Sequence, residues 1–280
     1  MVAPTFTNER SGIYMQVLSI QDLSCMGKCS LTVALPILSA MGISTSVLPT
    51  AVLSTHTGFA DPAVQPMTEN LLPFAQHMAS VGGSFDGICT GYLSDPQQAE
   101  AVCQVLDLFD GVKVIDPAMG DHGKLYSRMT PEHVEAMKTL CRRGDYLLPN
   151  LTEAAFLTGM PYRQHCDGTY LVEMADALCA LGAKGVIITG IDWEPGYTGW
   201  VGMQNGRLFS YRAKKQPRNQ HGTGDMFAAV TTGCLVLEKP LHVAASLASK
   251  FVERTLAVTP MSTPFGANFE PCLPWLWEQL

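Results

Sequence analysis

The chain has 280 residues, of which 47% are hydrophobic and only 15% are charged, so we expect a sizeable folded core and little disorder. The net charge is −7 and the sequence has no basic stripe, which argues against nucleic acid as a partner. There is no apolar signal segment, no apolar run long enough to cross a bilayer and no regular cysteine spacing, so we expect a cytoplasmic protein with reduced thiols.

Residues 1–14 are polar and without pattern, and we expect a flexible tail there. From residue 15 onward, apolar runs of strand length alternate with segments of helix length. Strands are predicted at 16–20, 44–48, 87–90, 112–115, 146–148 and 185–189, and a hairpin at 200–203 and 208–211 around Asn205-Gly206. Helices are predicted at 29–41, 67–81, 96–109, 131–141, 169–181, 224–237 and 241–257, and Thr152 is predicted to cap a further helix.

The alternation of strands and helices predicts a mostly parallel sheet with helices on both faces, which is a three-layer α/β/α sandwich. The predicted hairpin supplies an antiparallel edge. Because no internal repeat or low-complexity linker divides the chain, we expect a single domain over residues 15–280. In open α/β sheets, ligands bind beyond the carboxyl ends of the strands, so polar residues at those ends are the candidates for a site.

A glycine-flanked loop leads into the predicted helix at 224–237. Gly222, Thr223 and Gly224 would gather several free backbone N–H groups, and such a helix N-terminus attracts anions, phosphate above all. Asp225 is itself an anion there, which weakens phosphate binding unless the carboxylate does chemistry, such as taking a proton from a nucleophile that attacks phosphate. The alternative is structural, with Asp225 acting only as an N-terminal cap.

Polar residues also follow three predicted strands in the second half of the chain. Asp116 follows the strand at 112–115, and its carboxylate could hold a metal-bound water or face nucleotide phosphates, although a strand-ending turn is the alternative. Asn150 and Glu153 follow the next strand. One carboxylate near a triphosphate suffices for Mg²⁺, but Asn150 and Thr152 could simply cap a helix whose first turn contains Glu153. Thr189 ends the following strand and is a weak signal alone.

Three segments of the N-terminal half could contact a substrate. Ser19 and Asp22 belong to the run Ser-Ile-Gln-Asp at the first strand. His56 and Thr57 belong to the run Ser-Thr-His-Thr-Gly-Phe at 54–59, for which a polar loop with a structural histidine is the alternative. Tyr92 follows the strand at 87–90, where an aromatic wall would suit a flat aromatic ligand and a core tyrosine is the alternative.

Taken together and in this order, these segments resemble the ribokinase-like family of small-molecule kinases, and more narrowly its pyridoxal (vitamin B6) kinase branch. The resemblance runs from about residue 17 to residue 258. The run at 222–225 resembles the anion hole of that family, and Asp-Pro-Ala-Met-Gly-Asp at 116–121 resembles its Asp-Pro-Val-Met/Leu-Gly-Asp segment. The runs at 19–22, 54–59 and 91–93 are similar to the B6-kinase Ser-Ile-Gln-Ser, Ser-Asn-His-Thr-Gly-Tyr/Gln and Gly-Tyr-Leu segments, with Asp22 replacing a serine.

The resemblance implies a ribokinase-like fold with a small lid and an ATP- and Mg²⁺-dependent kinase that phosphorylates the 5′-hydroxymethyl group of a B6 vitamer. A monovalent cation such as K⁺ and a homodimer also belong to this expectation. The implied roles are general base for Asp225, anion hole or phosphate binding for Gly222, Thr223, Gly224, Thr189 and Asn150, metal binding for Asp116 and Glu153, and substrate binding for Ser19, Asp22, His56, Thr57, Tyr92 and Asp225.

Two alternatives stay open on the sequence. Hydroxymethylpyrimidine kinases of thiamine synthesis more often have cysteine at the position of Asp225 and lack the His-Thr-Gly lid segment, but they carry a carboxylate near the position of Asp22. The second alternative is a non-catalytic sensor of a B6 vitamer or a nucleotide. The intact carboxylate of Asp225 argues against a sensor, because a sensor has no need of a base.

Overall fold

The computed structural model describes residues 14–216, 220–260 and 263–280. Its strands are β1 Gln16–Ser24, β2 Ser44–Leu53, β3 Val64–Pro66, β4 Gly87–Thr90, β5 Val112–Ile115, β6 Gly120–Asp121, β7 Lys124–Leu125, β8 Tyr146–Leu147, β9 Gly185–Glu194, β10 Tyr197–Gln204 and β11 Arg207–Lys214. Its helices are α1 Leu31–Ala40, α2 Thr68–Ser80, α3 Gln97–Leu108, α4 Pro131–Cys141, α5 Leu151–Thr158, α6 Gly168–Cys179, α7 Thr223–Val236, α8 Leu241–Val258 and α9 Leu273–Trp277, with a 3₁₀ turn at Glu270–Cys272.

Nine of these strands form one sheet in the order β11-β10-β9-β8-β5-β4-β1-β2-β3. The six strands from β9 to β2 in this order are parallel, whereas β10 and β11 at one edge and β3 at the other are antiparallel. This order confirms the predicted, mostly parallel sheet with an antiparallel hairpin at its edge. The separate β6–β7 hairpin and the short β3 were not predicted, since two or three residues are too few to show a pattern.

Helices cover both faces of the sheet, as the sandwich requires. Along β1, Val17 belongs to the hydrophobic cluster that contains α1, α7 and α8, whereas its neighbour Leu18 belongs to the cluster that contains α2 to α6. This alternation follows from the period of two along a strand, which points successive side chains to opposite faces. Helix α7 is buried from Met226 to Val236, because it lies against the sheet and is covered by α1 and α8.

The start of α5 corrects one prediction. Thr152 is not the cap of this helix, since Asn150 takes that position and its Oδ1 accepts a hydrogen bond of 3.0 Å from the N–H of Glu153. The hydroxyl of Thr152 instead accepts a hydrogen bond of 2.8 Å from the N–H of Gly123. Sequence could not separate the two because both residue types cap helices, and the choice depends on where the β6–β7 turn lies.

Some predicted regions fall outside this description. The tail predicted at 1–14 lies outside the described residues except for Tyr14. The single domain over 15–280 stays a prediction, although one continuous sheet connects β1 to β11. No helix among the described residues is both long and apolar enough to cross a membrane.

Candidate active site

The predicted site residues gather at the carboxyl ends of the parallel strands. Asp116 follows β5, Asn150 follows β8 and pairs as a parallel bridge with Thr189 of β9, and Asp22 lies near the end of β1. The first turn of α7 brings Asp225 to the same edge, where its charge raises the pKa of Asp116 and the charge of Asp22 raises the pKa of Asp225 itself. The sheet topology therefore assembles residues that are far apart in sequence.

The loop before α7 has the geometry of an anion-binding turn. Gly222, and not Asp225, is the N-cap residue of α7, and it has φ of 86° with no side-chain capping bond. A Cβ atom at Gly222 would lie 2.3 Å from the carbonyl oxygen of Lys28, whereas a Cβ at Gly224 would meet nothing within 4 Å. The N-cap alternative for Asp225 is thus wrong, and the first turn of α7 opens onto free space at Gly224.

Asp225 lies in this first turn and is half-buried. Burial raises the pKa of its carboxyl to about 6, the backbone N–H of Ser30 opposes that rise, and the charge of Asp22 adds to it. At neutral pH the group is therefore mostly ionised, yet it binds a proton far more readily than an ordinary aspartate does. That combination suits a general base.

Glu153 is buried and organises the segment that carries Asp116. Its Oε1 accepts a hydrogen bond of 3.1 Å from the N–H of Met119, and its Oε2 accepts one of 2.8 Å from the N–H of Asn150. The Asn150 side chain completes a capping box and donates a 2.8 Å hydrogen bond to the carbonyl oxygen of Gly120. The structural alternative is thus confirmed for Asn150 as the cap and for Glu153 in the first turn, while contact of Glu153 with a metal stays a prediction.

Several carboxylates crowd together beside this segment. Burial, then the charges of Glu153 and Asp225, raise the pKa of Asp116 well above its usual range. Desolvation raises the pKa of Glu153 to about 8. None of the ion pairs found among the described residues involves Asp116, Glu153 or Asp225. Such an uncompensated cluster is what a bound cation would relieve.

The donor set fits a hydrated magnesium ion better than a closed metal cage. Within residues 14–216, 220–260 and 263–280, no three His, Cys, Asp or Glu side chains form a group that could hold a metal by themselves. Mg²⁺ needs only one or two carboxylates and keeps several waters, so Asp116 and Glu153 suffice chemically. Sequence reasoning missed Tyr126, which lies near enough to this cluster that desolvation, and then the charges of Glu153 and Asp116, raise the pKa of its phenol.

The metal-free protein should become less stable as pH rises from about 5 to 8, because of Glu153. The native carboxyl keeps its proton up to a pKa of about 8, whereas the unfolded chain releases it near its ordinary pKa of about 4.3. The native state thus binds more protons across this window, and the free energy of unfolding falls as pH increases. Glu153→Gln should flatten this dependence in thermal melts recorded with EDTA at pH 5.5 and pH 8.

The matched control for that measurement is Glu135→Gln, an exposed carboxyl on α4 paired with Lys138. It should keep the wild-type difference in melting temperature between the two pH values. An unchanged difference in Glu153→Gln would show that this carboxyl ionises normally in the fold.

The predicted substrate residues of β1 lie inside the sheet. The side chain of Ser19 is fully buried, and its Oγ accepts a 3.0 Å hydrogen bond from Nε2 of Gln21. Asp22 is also buried, and its Oδ2 accepts a 3.1 Å hydrogen bond from the hydroxyl of Ser24. Burial raises the pKa of Asp22, and its hydrogen bonds with serine hydroxyls oppose the rise. The contacts of Ser19 and Asp22 with a substrate stay predictions.

The predicted lid segment at 54–59 packs on the loop before α7. His56 is buried, its Nδ1 accepts a 3.1 Å hydrogen bond from the N–H of Gly58, and its Nε2 lies 3.3 Å from the carbonyl oxygen of Pro264. Its ring also lies 4.5 Å from that of His221. Burial and the neighbouring His221 lower the pKa of His56. Both ring nitrogens of His56 thus contact backbone atoms, which fixes the orientation of the ring. The neighbouring Thr57 is exposed.

Tyr92 provides a buried aromatic side chain next to Asp22. Its ring belongs to the core cluster, as the core-tyrosine alternative expected. Its hydroxyl, however, has no hydrogen-bond partner within the described part of the chain. Burial, and then the charge of Asp22, raise the pKa of this phenol. A buried, unpaired hydroxyl at a strand end is compatible with a ligand contact as well as with a core role.

Two basic residues on segments near the site, Lys28 and Lys215, pair with acidic side chains. Nζ of Lys28 donates to Oδ1 of Asn268 at 2.9 Å and pairs with Glu270 at 2.7 Å. Nζ of Lys215 pairs with Asp192 at 2.8 Å.

Comparisons with known proteins show which family the chain resembles. The phosphomethylpyrimidine kinase family matches residues 36–272. A pyridoxine/pyridoxal/pyridoxamine kinase from Bordetella bronchiseptica is 30% identical over 88% of this chain and 89% of that protein. A protein from Bacteroides thetaiotaomicron, assigned as a phosphomethylpyrimidine kinase and crystallised with pyridoxal, is 33% identical, with a TM-score of 0.90 over 94% of this chain and 96% of that one.

A further solved structure is that of pyridoxal kinase from Lactobacillus plantarum. It is 30% identical to this chain, and the two superpose with a TM-score of 0.88 over 96% of this chain and 98% of that one. The family match spans well over half of the chain, and the alignments with these relatives cover more than two thirds of it. The chain therefore belongs to the phosphomethylpyrimidine kinase family.

Proposed function

We propose that the chain transfers the γ-phosphoryl group of ATP to the 5′-hydroxymethyl group of pyridoxal, pyridoxine or pyridoxamine. The observation that carries the proposal is Asp225, an ionised carboxylate with a pKa of about 6 in the first turn of α7, beside the open space at Gly224. The similarity to a structure that contains pyridoxal and to proteins described as pyridoxal kinases supports this choice of substrate.

In this mechanism Asp225 accepts the proton of the substrate hydroxyl group while the oxygen of that hydroxyl forms a bond to the γ-phosphorus of ATP. The bond from that phosphorus to the bridging oxygen breaks, and ADP leaves. The backbone N–H groups of Gly222, Thr223 and Gly224 would stabilise the negative charge that develops on the transferred group. Mg²⁺, when bound near Asp116 and Glu153, would neutralise the phosphates.

The N-terminal half would hold the vitamer. Asp22 would bind the 3-hydroxyl group, the ring nitrogen or the amine of the substrate, and Tyr92 and His56 would flank the ring. Ser19 and Thr57 would complete the pocket, while Asn150 and Thr189 would contact nucleotide phosphate. A homodimer, a cytoplasmic location and a requirement for a monovalent cation such as K⁺ belong to the same proposal and rest on the family resemblance.

A second candidate is phosphorylation of hydroxymethylpyrimidine. It is favoured by the description of the matching family and by the buried carboxylate of Asp22. Asp225 and the His-Thr-Gly run of the lid favour a B6 vitamer instead. A sensor without catalysis would have no use for a base in the first turn of α7.

We expect purified protein with Mg-ATP to release ADP when pyridoxal, pyridoxine or pyridoxamine is added, and not without an acceptor. The assay follows ADP in separate reactions with each vitamer and with hydroxymethylpyrimidine. Turnover on hydroxymethylpyrimidine alone would replace the proposal by the second candidate. Turnover on none of the four, with vitamer binding intact, would support the sensor.

A further inference from the structure

The parallel pairing of β1 with β2 is interrupted beside Asp22. Gln21 pairs with Pro49, and the next pair along the two strands joins Leu23 to Val52. Between these pairs β1 contributes one residue, Asp22, whereas β2 contributes two. The extra residue makes a β-bulge, which bends its strand locally and leaves the ladder open at that point. Bulges occur next to active sites, where they re-aim side chains.

Thr50 is one of the two residues in this bulge, and it is fully buried. Its hydroxyl donates a 2.7 Å hydrogen bond to the carbonyl oxygen of Tyr92. Its own carbonyl oxygen accepts a 2.9 Å hydrogen bond from the N–H of Met67 and one of 2.6 Å from Nε2 of Gln98. Thr50 therefore connects the bulge to the segment that follows β4 and to the first turns of α2 and α3.

The hydrogen bond from Thr50 to Tyr92 joins segments of two strands that do not pair. β1 lies between β2 and β4 in the sheet, and strands two positions apart are separated by roughly 10 Å. The contact therefore requires the chain after β4 to cross toward β2 over the end of β1. The N–H of Ser94 is also held there, by a 2.8 Å hydrogen bond to Oε1 of Gln98. The backbone from Tyr92 to Ser94 is thus fixed at both of its ends.

The side chain of Tyr92 is held less completely than its backbone. The residue is buried, yet its hydroxyl has no hydrogen-bond partner among the residues that the structure describes. A buried tyrosine hydroxyl usually finds a partner, so one that lacks it points to a contact with a ligand or a water. An anchored backbone with an unpaired polar tip suits the wall of a binding pocket better than simple core packing.

We propose that Thr50 is a positioning residue for the vitamer, because its bulge sets the backbone opposite Asp22 and its hydroxyl holds the backbone of Tyr92. The proposal rests on the proposed function, in which Asp22 binds a polar group of the vitamer and Tyr92 flanks its ring. One residue thus fixes the spacing between the two. The pocket is then formed before the substrate arrives, and little ordering remains to oppose binding.

Two substitutions of Thr50 separate positioning from stability. Thr50→Val keeps the shape of the side chain but removes the hydroxyl, so KM for pyridoxal should rise about 5–20-fold, as expected for loss of a buried hydrogen bond. Both kcat and KM for ATP should stay within about threefold of the wild type, because the bound pocket is the same once it has formed. Thr50→Ser keeps the hydroxyl and removes a buried methyl group, so its melting temperature should fall while KM for pyridoxal stays unchanged. The control is Thr45→Val at the other end of β2, whose hydroxyl lies 3.4 Å from the carbonyl oxygen of Ile43.

The outcomes distinguish the two proposals. Loss of folded protein lowers the apparent kcat but not KM, so wild-type KM for pyridoxal in Thr50→Val overturns the positioning role and leaves the kinase assignment standing. An equal rise of KM in Thr50→Ser would assign the effect to packing and overturn it too. If the wild type has no turnover, the proposed function fails, and calorimetry with pyridoxal decides on Thr50. Binding that is weaker in Thr50→Val and retained in Thr50→Ser supports the positioning role, whereas equal affinity in both, or no binding by the wild type, overturns it.

Discussion

Asp225→Asn should lower kcat for pyridoxal phosphorylation by about 10²–10⁴-fold, the range expected for loss of a general base. Asparagine has the size of aspartate, and its Oδ1 atom can still accept a hydrogen bond, but the amide cannot take a proton from the substrate. The fold should not suffer, because the substitution removes one of several crowded negative charges around Asp22 and Asp116. Melting temperature and affinity for pyridoxal should therefore equal or exceed the wild-type values.

The pH dependence provides a second measurement on the same group. A base works only when it is ionised, and the pKa of Asp225 is about 6, so wild-type kcat/KM should fall as pH drops below about 6. An aspartate with an ordinary pKa near 4 would keep full activity there. ADP release measured between pH 5 and pH 8 tests this fall in kcat/KM, with Glu135→Gln as the control. Wild-type kcat in Asp225→Asn would exclude this residue as the base.

Much of the fold followed from patterns within single segments. The buried runs at β4 and β5 and the Asn-Gly turn between β10 and β11 each have a local physical cause. The bounds of β4 and β5 were therefore predicted as observed, and the hairpin was predicted around its observed turn, although β10 and β11 extend beyond the predicted 200–203 and 208–211. The positions of Asp116 and Asn150 at strand ends follow in turn, because parallel strands place their carboxyl ends at one edge.

Other features depend on contacts between distant segments and leave no pattern in the sequence. Ser30, the residue before α1, has φ of 47°, and the adjoining Lys28 packs against the segments at Gly222 and Phe265. His221 directly precedes the glycine-flanked run at 222–225, yet nothing in the local sequence indicates that its ring contacts that of His56. The same holds for the two hydrogen bonds that the Glu153 carboxylate accepts from the backbone N–H groups of Met119 and Asn150, which lie in separate turns.

The two glycines of the loop before α7 should respond in opposite ways to the same added methyl group. Gly222→Ala should destabilise the protein by about 1–3 kcal/mol, because its φ of 86° is strained for alanine. In addition, the new Cβ would lie 2.3 Å from the carbonyl oxygen of Lys28. The loop can relieve that contact only by moving, so activity and melting temperature should fall together. This variant reports on folding of the loop.

Gly224→Ala should instead separate stability from activity. A Cβ at this position meets nothing within 4 Å, and alanine is a better helix former than glycine by about 1 kcal/mol, so the melting temperature should stay equal or rise. The methyl group would project into the open space where the transferred phosphoryl group must approach the N–H groups of α7. We therefore expect kcat/KM for ATP to fall at least about tenfold, since a 1.4 kcal/mol loss suffices for that. Wild-type kinetics in a stabilised Gly224→Ala protein would place the phosphate elsewhere, because an anion held by this turn cannot share its space with a methyl group.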